Sequence, residues 1–476
     1  MSAEAAGPLI VQAGVDLVDP HDCTDDPDKL ALLEAVHEAL VRRGPDGRWW
    51  PALAESWSVS DDARSWTFDL RPGIRCHDGA PADAEAVAWS VTRMARPDMG
   101  ATLGAPAVWA QYLAGAKATV VSGSTVRIDL ERPTADLLDI LGSGYVLSPQ
   151  AGEGEPVGCG AYRVEARAPD GRMTLRAGEG RGMPNPVLHL QGVAAPGARS
   201  AAVADGSAQV ASGLDREAAA RLARQAGVTL VGHLSPTAII FLFNAARGPL
   251  QDPRVRRALN LALDRQALVS GVLGGAGRAL DGFLSPMHFG APAVADTDGT
   301  DRDTARRLLD EAGWSDGLTL DVTCPTSLPD EAEALTAAVA AQLEPLGVSF
   351  RVELVEDRVA YANRVRRKEI GDLCVFDSSP MSSFRVLYEK IDSRVGGSWW
   401  QGYCNREVEA LLDRARATVE DAGRKAIYRQ CYRLLQVDPP WLYLYNHSRH
   451  VALAGRQPGW RMRGDGVLDL RALPAL

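Results

Sequence analysis

Two tryptophans, Trp399 and Trp400, follow Gly396-Gly397-Ser398, and Tyr403 comes three residues later. Paired indoles in a loop ahead of a helical pattern suit the wall of a small-molecule pocket, because flat side chains bury large area and carry a polar edge. The plain alternative is a loop anchor buried against its own domain. Cys159 lies in Gly158-Cys159-Gly160. A thiol there reaches a ligand as a nucleophile only where a cation favours its thiolate. No histidine or lysine is close in sequence, so a small buried side chain is the weightier reading. Asp377 ends the short apolar run Leu373 to Phe376, where an aspartate commonly closes a turn.

His21, His77, His447 and His450 are scattered. His447 and His450 stand three apart at the end of a predicted strand, not on one helix face, so no metal cluster is expected. GxSxG, HExxH, P-loop and post-strand GxGxxG motifs do not occur. No cofactor is expected, and no motif marks an enzyme. The seven cysteines include no CxxC pair. A disulfide framework is therefore not expected, and seven dispersed thiols suit a reducing compartment. The first residues show neither a basic start nor a long apolar run, unlike a secretory leader. Together these features lead to a cytoplasmic expectation, with an extracellular location and a leader outside this chain as the alternative.

These residues must be held by the elements around them. The chain has 476 residues, 46 % of them hydrophobic, enough for more than one core, since single cores stop growing near about 250–300 residues. Its net charge of −10 repels phosphate backbones and argues against nucleic acid. No run approaches the ~20 apolar residues that span a bilayer, so membrane insertion is not expected. Pro8 to Ala13 reads as a strand. Asp26-Pro27 caps a helix expected to reach about Arg43, on the spacing of Leu33, Val36 and Leu40. Trp57 and Val59, then Trp66, Phe68 and Leu70, alternate as a hairpin. Ile239 to Phe243, Val348 to Leu354, Leu373 to Phe376 and Trp441 to Tyr445 read as strands. Helices capped by Asp252 and Asp264, and over Glu331 to Leu346, lie among them. Alternating strands and helices argue an α/β fold.

Several blocks, in order, resemble the family 5 extracellular solute-binding proteins, the peptide- and nickel-type receptors of ABC importers. Val15 to His21 is similar to an LDPH element. Pro51 to Trp57, Trp66-Thr67-Phe68 and Leu70-Arg71-Pro72-Gly73 resemble PxLAESW…YTFxLRxG. Cys76-His77-Asp78-Gly79 resembles aromatic-His-Asp-Gly with cysteine at the aromatic position. Gly158-Cys159-Gly160-Ala161-Tyr162 resembles GTGPY with two substitutions. Phe243-Asn244 with Asp252-Pro253-Arg254-Val255-Arg256-Arg257-Ala258-Leu259-Asn260 and Asp264-Arg265 resembles FN…DxRVRqAln and its continuation. Taken as residues alone, these blocks hold elements together and do not contact ligand.

The resemblance implies a periplasmic-binding-protein-like fold of two lobes with an extra inserted domain and a ligand cleft. The first lobe would be 1–44 plus 158–243 plus 448–476, the inserted domain 45–157, and the second lobe 244–447. Asp377, followed by Pro380 and Phe384, is similar to the aspartate that pairs with the α-amino group in peptide receptors. Asp377, Trp399, Trp400, Tyr403 and Cys159 are the candidate ligand contacts. The expected partner is an amine, amino acid or short peptide, with an ABC permease if the protein is exported, and a monomer is expected. The alternative is an intracellular enzyme that reuses the cleft for amine–carbonyl condensation of Pictet–Spengler type, with Asp377 moving the proton.

Overall fold

The computed structural model describes residues 7–22, 25–44, 46–99, 108–152, 154–292, 300–326, 329–378 and 380–476. Cys23 and Ser379 lie outside the described residues. The chain divides into two units, Met1–His233 with Ser448–Leu476, and Leu234–His447.

In the first unit, Leu9–Gln12 pairs parallel with Val187–Gly192 and with Val210–Leu214. Met173–Ala177 and Tyr162–Arg167 extend the sheet antiparallel on one side. The final residues of Trp441–Ala454 pair antiparallel with Val210–Leu214 on the other. Successive side chains of a strand leave opposite faces, and here both faces are covered. Ile10 packs with Leu32, Ala35 and Leu190 on one face, and Val11 packs with Val203, Ala211 and Leu222 on the other. Burial on both sides explains why Leu9 to Val11 reads as an unbroken apolar run. Ala54–Val59, Ser65–Leu70, Thr125–Asp129 and Lys117–Ser122 form a separate antiparallel sheet in that order, with Trp66, Phe68 and Leu70 turned inward.

The first helix, Pro27–Val36, is shorter than the periodicity suggests. Asp26 caps it as expected, accepting from the Asp28 amide at 3.0 Å. It stops at Val36 because the Gly160 amide takes the Val36 carbonyl at 3.0 Å. A side chain at Gly158 or Gly160 would run into that same backbone. The residues beyond, Glu38–Ala39 and Val41–Arg43, then pair as short strands with Tyr145–Val146 and Trp49–Pro51.

One expectation about the cysteines is overturned here: Cys76 and Cys159 form a disulfide. Cys324, Cys374, Cys404 and Cys431 are free. Both bonded residues depart from the family pattern, each in its own block, so these two departures compensate one another. Spacing along the chain could not show this, because the partners are 83 residues apart. The crosslink also has hydrogen-bonded company. The His77 amide donates to the Gly158 carbonyl at 2.9 Å, and His77 Nε2 lies 3.2 Å from the Gly160 carbonyl.

In the second unit the strand order is Val228–Phe243, Leu373–Ser378, Leu318–Pro325, Val348–Val355. The last three are mutually parallel, and Val228–Phe243 runs antiparallel to Leu373–Ser378. Phe241, Phe243, Leu320, Val322, Val375, Leu335 and Val339 share its core. The Asp252 to Arg265 block is structural, as its residues suggest. Asn260 Nδ2 donates to the Trp441 carbonyl at 2.9 Å and its Oδ1 accepts from the Tyr443 amide at 3.2 Å. Arg265, buried, donates from Nε to the Tyr443 carbonyl at 2.8 Å, and burial pulls its pKa down to about 10. Arg256 donates to the Leu250, Gln251 and Pro439 carbonyls and pairs with Asp438.

The disulfide closes a long loop, and such a link restricts the unfolded chain by about 3–5 kcal/mol. Cys76→Ala/Cys159→Ala should therefore lower the urea midpoint of the first unit's transition, and dithiothreitol should do the same to the wild type but not to the double variant. Equal transitions with and without reductant would refute the link.

Candidate functional site

Asp377 sits near the C-terminal end of Leu373–Ser378, flanked by Leu318–Pro325 and Val228–Phe243. Ligands of open α/β sheets gather at the carboxyl ends of strands, so its position suits a binding role. Asp377 pairs through its backbone with Ile239 and is half-buried. The chain beyond it is pinned: His288 Nε2 lies 2.8 Å from the Pro380 carbonyl and His288 Nδ1 2.9 Å from Ser285 Oγ.

Trp399 lies beside this strand end. Its ring centroid is 5.0 Å from that of Phe376, tilted by 43°. Lys390, 4 % exposed, places Nζ 5.7 Å above the Phe376 ring, 3.4 Å from Ser378 Oγ and 3.3 Å from the Asp377 carbonyl. Phe376 and Ser378 thus share one face with Trp399 and Lys390. Strand alternation sends the Asp377 carboxylate toward the opposite face. The structure therefore brings Trp399 and Asp377 to the same strand end without putting them on one wall.

Trp400 and Tyr403 are committed elsewhere. Trp400 Nε1 donates to the Tyr403 carbonyl at 2.6 Å. Tyr403 is 3 % exposed, and its hydroxyl donates toward the Asp438 carbonyl at 3.0 Å and carboxylate at 3.1 Å. Burial, reinforced by Asp438, raises its phenol far above the usual range. Tyr403 is an anchor of the loop. Cys159, fully buried and bonded to Cys76, offers no thiol to a ligand; the glycines around it gave no sign of a partner.

The Gly-rich loop is fixed from below by a residue the sequence reading passed over. Lys368, in a left-handed conformation at φ 64°, donates from Nζ to the Gly397 carbonyl at 3.0 Å and the Ser398 carbonyl at 2.8 Å. Burial alone lowers its pKa to about 8. Gly397 lies against the Glu389 carbonyl and Gly402, at φ 88°, against the Ala246 backbone, where side chains would collide. The glycines thus serve close approach of backbone to backbone. Gln401 adds a bond to the Val365 carbonyl at 2.9 Å.

A second group was legible only in part. His447, noted in sequence without a partner, places Nε2 2.6 Å from Glu331 Oε1, which also accepts from the Tyr445 hydroxyl at 2.9 Å. Burial pushes the Glu331 carboxyl up, but the bond and charge of His447 outweigh it and hold it below its ordinary value. Nothing near Glu331 in sequence signals this pairing, because its partners lie more than a hundred residues later. Among the described residues, no helix is long and apolar enough to cross a membrane.

Residues 49–380 match the family model described as bacterial extracellular solute-binding proteins, family 5 Middle. The chain is 27 % identical over 465 residues to the glutathione-binding protein GsiB of Salmonella paratyphi A, covering 93 % of this chain and 89 % of that protein. Its fold matches HbpA2 from Haemophilus parasuis with a TM-score of 0.81 at 19 % identity, over 97 % of this chain and 98 % of the other. It also matches a dipeptide-binding protein from Pseudoalteromonas sp. SM9913 bound to Met-Leu, with a TM-score of 0.80 at 19 % identity, over 97 % and 99 %.

Lys368→Met keeps the stem and removes both bonds to the loop. It should lower stability by about 1–3 kcal/mol and raise acrylamide quenching of Trp399 fluorescence. Because burial depresses the Lys368 pKa, the unfolded chain binds the proton more tightly, so wild-type stability should rise between pH 8 and the unfolded lysine value. The variant should lose that rise. An unchanged pH slope would remove Lys368 from this role.

Proposed function

Because the chain belongs to the bacterial extracellular solute-binding proteins of family 5, we propose that it binds a small amine-bearing solute of peptide or amino-acid kind. The observation that carries this reading is the half-buried carboxylate of Asp377 at the carboxyl end of a central parallel strand, where a charge-assisted bond to an ammonium gains from partial desolvation. Trp399, held against Phe376 by the clamped loop, offers an aromatic surface at the same strand end, on the face away from the Asp377 carboxylate. The names of the similar proteins, glutathione-binding and dipeptide-binding, support a short peptide as its size class. The same reading treats 45–157, centred on the separate antiparallel sheet, as an inserted domain.

The disulfide and the family's extracellular membership favour a site of action outside the cytoplasm, with delivery to an ABC permease. The cytoplasmic expectation rested partly on seven unpaired thiols, and two of them are joined. Disulfides persist in oxidising compartments. No observation favours the amine–carbonyl condensation, and GsiB and the Pseudoalteromonas protein are binding proteins by name.

Calorimetric titration of the whole chain with glutathione, Met-Leu and N-acetyl-Met-Leu tests the reading. At least one free-amine peptide should bind, and its N-acetylated form should bind far more weakly. Asp377→Asn should cost about 2–5 kcal/mol, the usual loss on removing one member of a desolvated charge pair. Equal affinity for acetylated and free amines would refute the amine pairing.

A further inference from the structure

Outer edges of β-sheets are templates for another strand, and proteins blunt them with bulges, charges or short length. The outer edge strands of the two larger sheets are Ala54–Val59, Lys117–Ser122, Tyr162–Arg167 and Val348–Val355. Three of them carry an extra residue against their neighbour. The register slips between Ala54 and Ser56, between Val120 and Ser122, and between Val164 and Ala166. Bulges of this kind twist an edge away from further pairing. Val348–Val355 differs. It stays in unbroken parallel register with Leu318–Pro325, from Leu318↔Val348 to Pro325↔Val355, and has a strand on one side only among the described residues.

Its exposed half is apolar in part. Val352 is 45 % and Leu354 51 % exposed, and Phe350 is half-buried on the same face. Arg351 and Glu353 project from the other face, both exposed. Charges on an edge strand ordinarily repel a newcomer. Here the two signs stand symmetrically about Val352, so the strand is complementary to itself.

We propose that Val348–Val355 is the surface through which two copies of this chain associate, pairing antiparallel about a two-fold axis at Val352. In that register Val352 meets Val352 of the second copy once, on the axis, while Phe350 meets Leu354 and Arg351 meets Glu353, each of these two pairs twice. Cross-strand apolar and opposite-charge pairs are the units that stabilise antiparallel sheets. Both charged residues already hold partners within the chain: Arg351 with Asp321 at 2.7 Å, and Glu353 with Arg364 at 2.8 and 2.7 Å. These exposed pairs constrain little by themselves, and the new contact joins them into one line of alternating sign: Asp321, Arg351, then Glu353 and Arg364 of the second copy. An isologous contact of this kind closes at two copies and does not propagate. The proposal replaces the monomer expected from sequence and is independent of which solute is bound.

Sedimentation of the whole chain from about 1 μM to about 500 μM, the range in which small interfaces associate, should show the mass rising from one copy toward two. Arg351→Glu should abolish the rise, since it sets like charges opposite each other twice, and Arg351→Glu/Glu353→Arg should restore it. In a Cys404→Ser background, Val352→Cys should form a disulfide-linked dimer on oxidation. Ser349→Cys should not, because two copies of position 349 would lie about 20 Å apart in this register. Circular dichroism of each variant guards against unfolding, and the Val352→Cys crosslink decides the matter if a charge variant fails to fold. A mass of one copy throughout, dimers indifferent to Arg351→Glu, or crosslinking at 349 instead of 352 would overturn the proposal.

Discussion

Two strands carry the chain between the units, and their backbone groups are not all satisfied by other strands. Buried amides and carbonyls without partners cost as much as lost hydrogen bonds, so these stretches need side chains to complete them. In Val228–Phe243, Pro236 interrupts the supply of donors, and Asn446 Nδ2 reaches the Pro236 and Thr237 carbonyls at 3.2 and 2.8 Å. In Trp441–Ala454, Asn260 and Arg265 serve the Trp441 and Tyr443 backbone. An asparagine offers donor and acceptor together, as a peptide group does. That equivalence explains why Asn260 is drawn inward away from solvent, with the donors of Arg256 and Arg265 buried beside it.

The first unit meets the same demand differently. Its Gly158-Cys159-Gly160 turn lies against the end of Pro27–Val36, so it can carry no side chain larger than glycine at either flank. What remains at the centre is a side chain that must be small and must fix the turn to something. Bonding to Cys76 does both, while His77 supplies hydrogen bonds on either side of the link. The helix end, the turn and the Cys76 segment therefore form one junction, which is also where the helical periodicity misleads.

The legible part of this fold is local. Asp-Pro caps, alternating hairpins and apolar strands show in sequence because their causes lie within a few residues. The two long strands show only as fragments, since the half-buried stretch Val228–Ser235 has neither clean alternation nor a continuous apolar run. Leu40 at helical spacing looks like another turn of helix, but Gly160, more than a hundred residues on, has already taken the Val36 carbonyl. The candidate site divides along the same line. Asp377 and Trp399 stand out by type and position. The Lys368 clamp, the Tyr403 anchor and the Glu331–His447 pair do not, because each is defined by a partner distant in sequence. Cys159 stood out as a thiol for a ligand, but its sulfur is bonded to Cys76 and its glycine neighbours serve close packing.

A binding protein gains affinity by spending little on ordering itself, because each side chain or loop frozen by the ligand subtracts from the observed free energy. The loop that carries Trp399 shows that economy in its covalent and hydrogen-bonded detail. Lys368 holds two consecutive carbonyls, Trp400 is turned back onto Tyr403, Tyr403 is fixed to Asp438, and Gln401 is tied to the Val365 carbonyl. Four neighbouring positions are thereby used to immobilise one. Trp399 is left half-buried against Phe376, its indole N–H without a partner among the described residues. The aromatic pair in the sequence is thus not a symmetrical pair at all: one indole is structure, and its rigidity is what makes the other a defined surface.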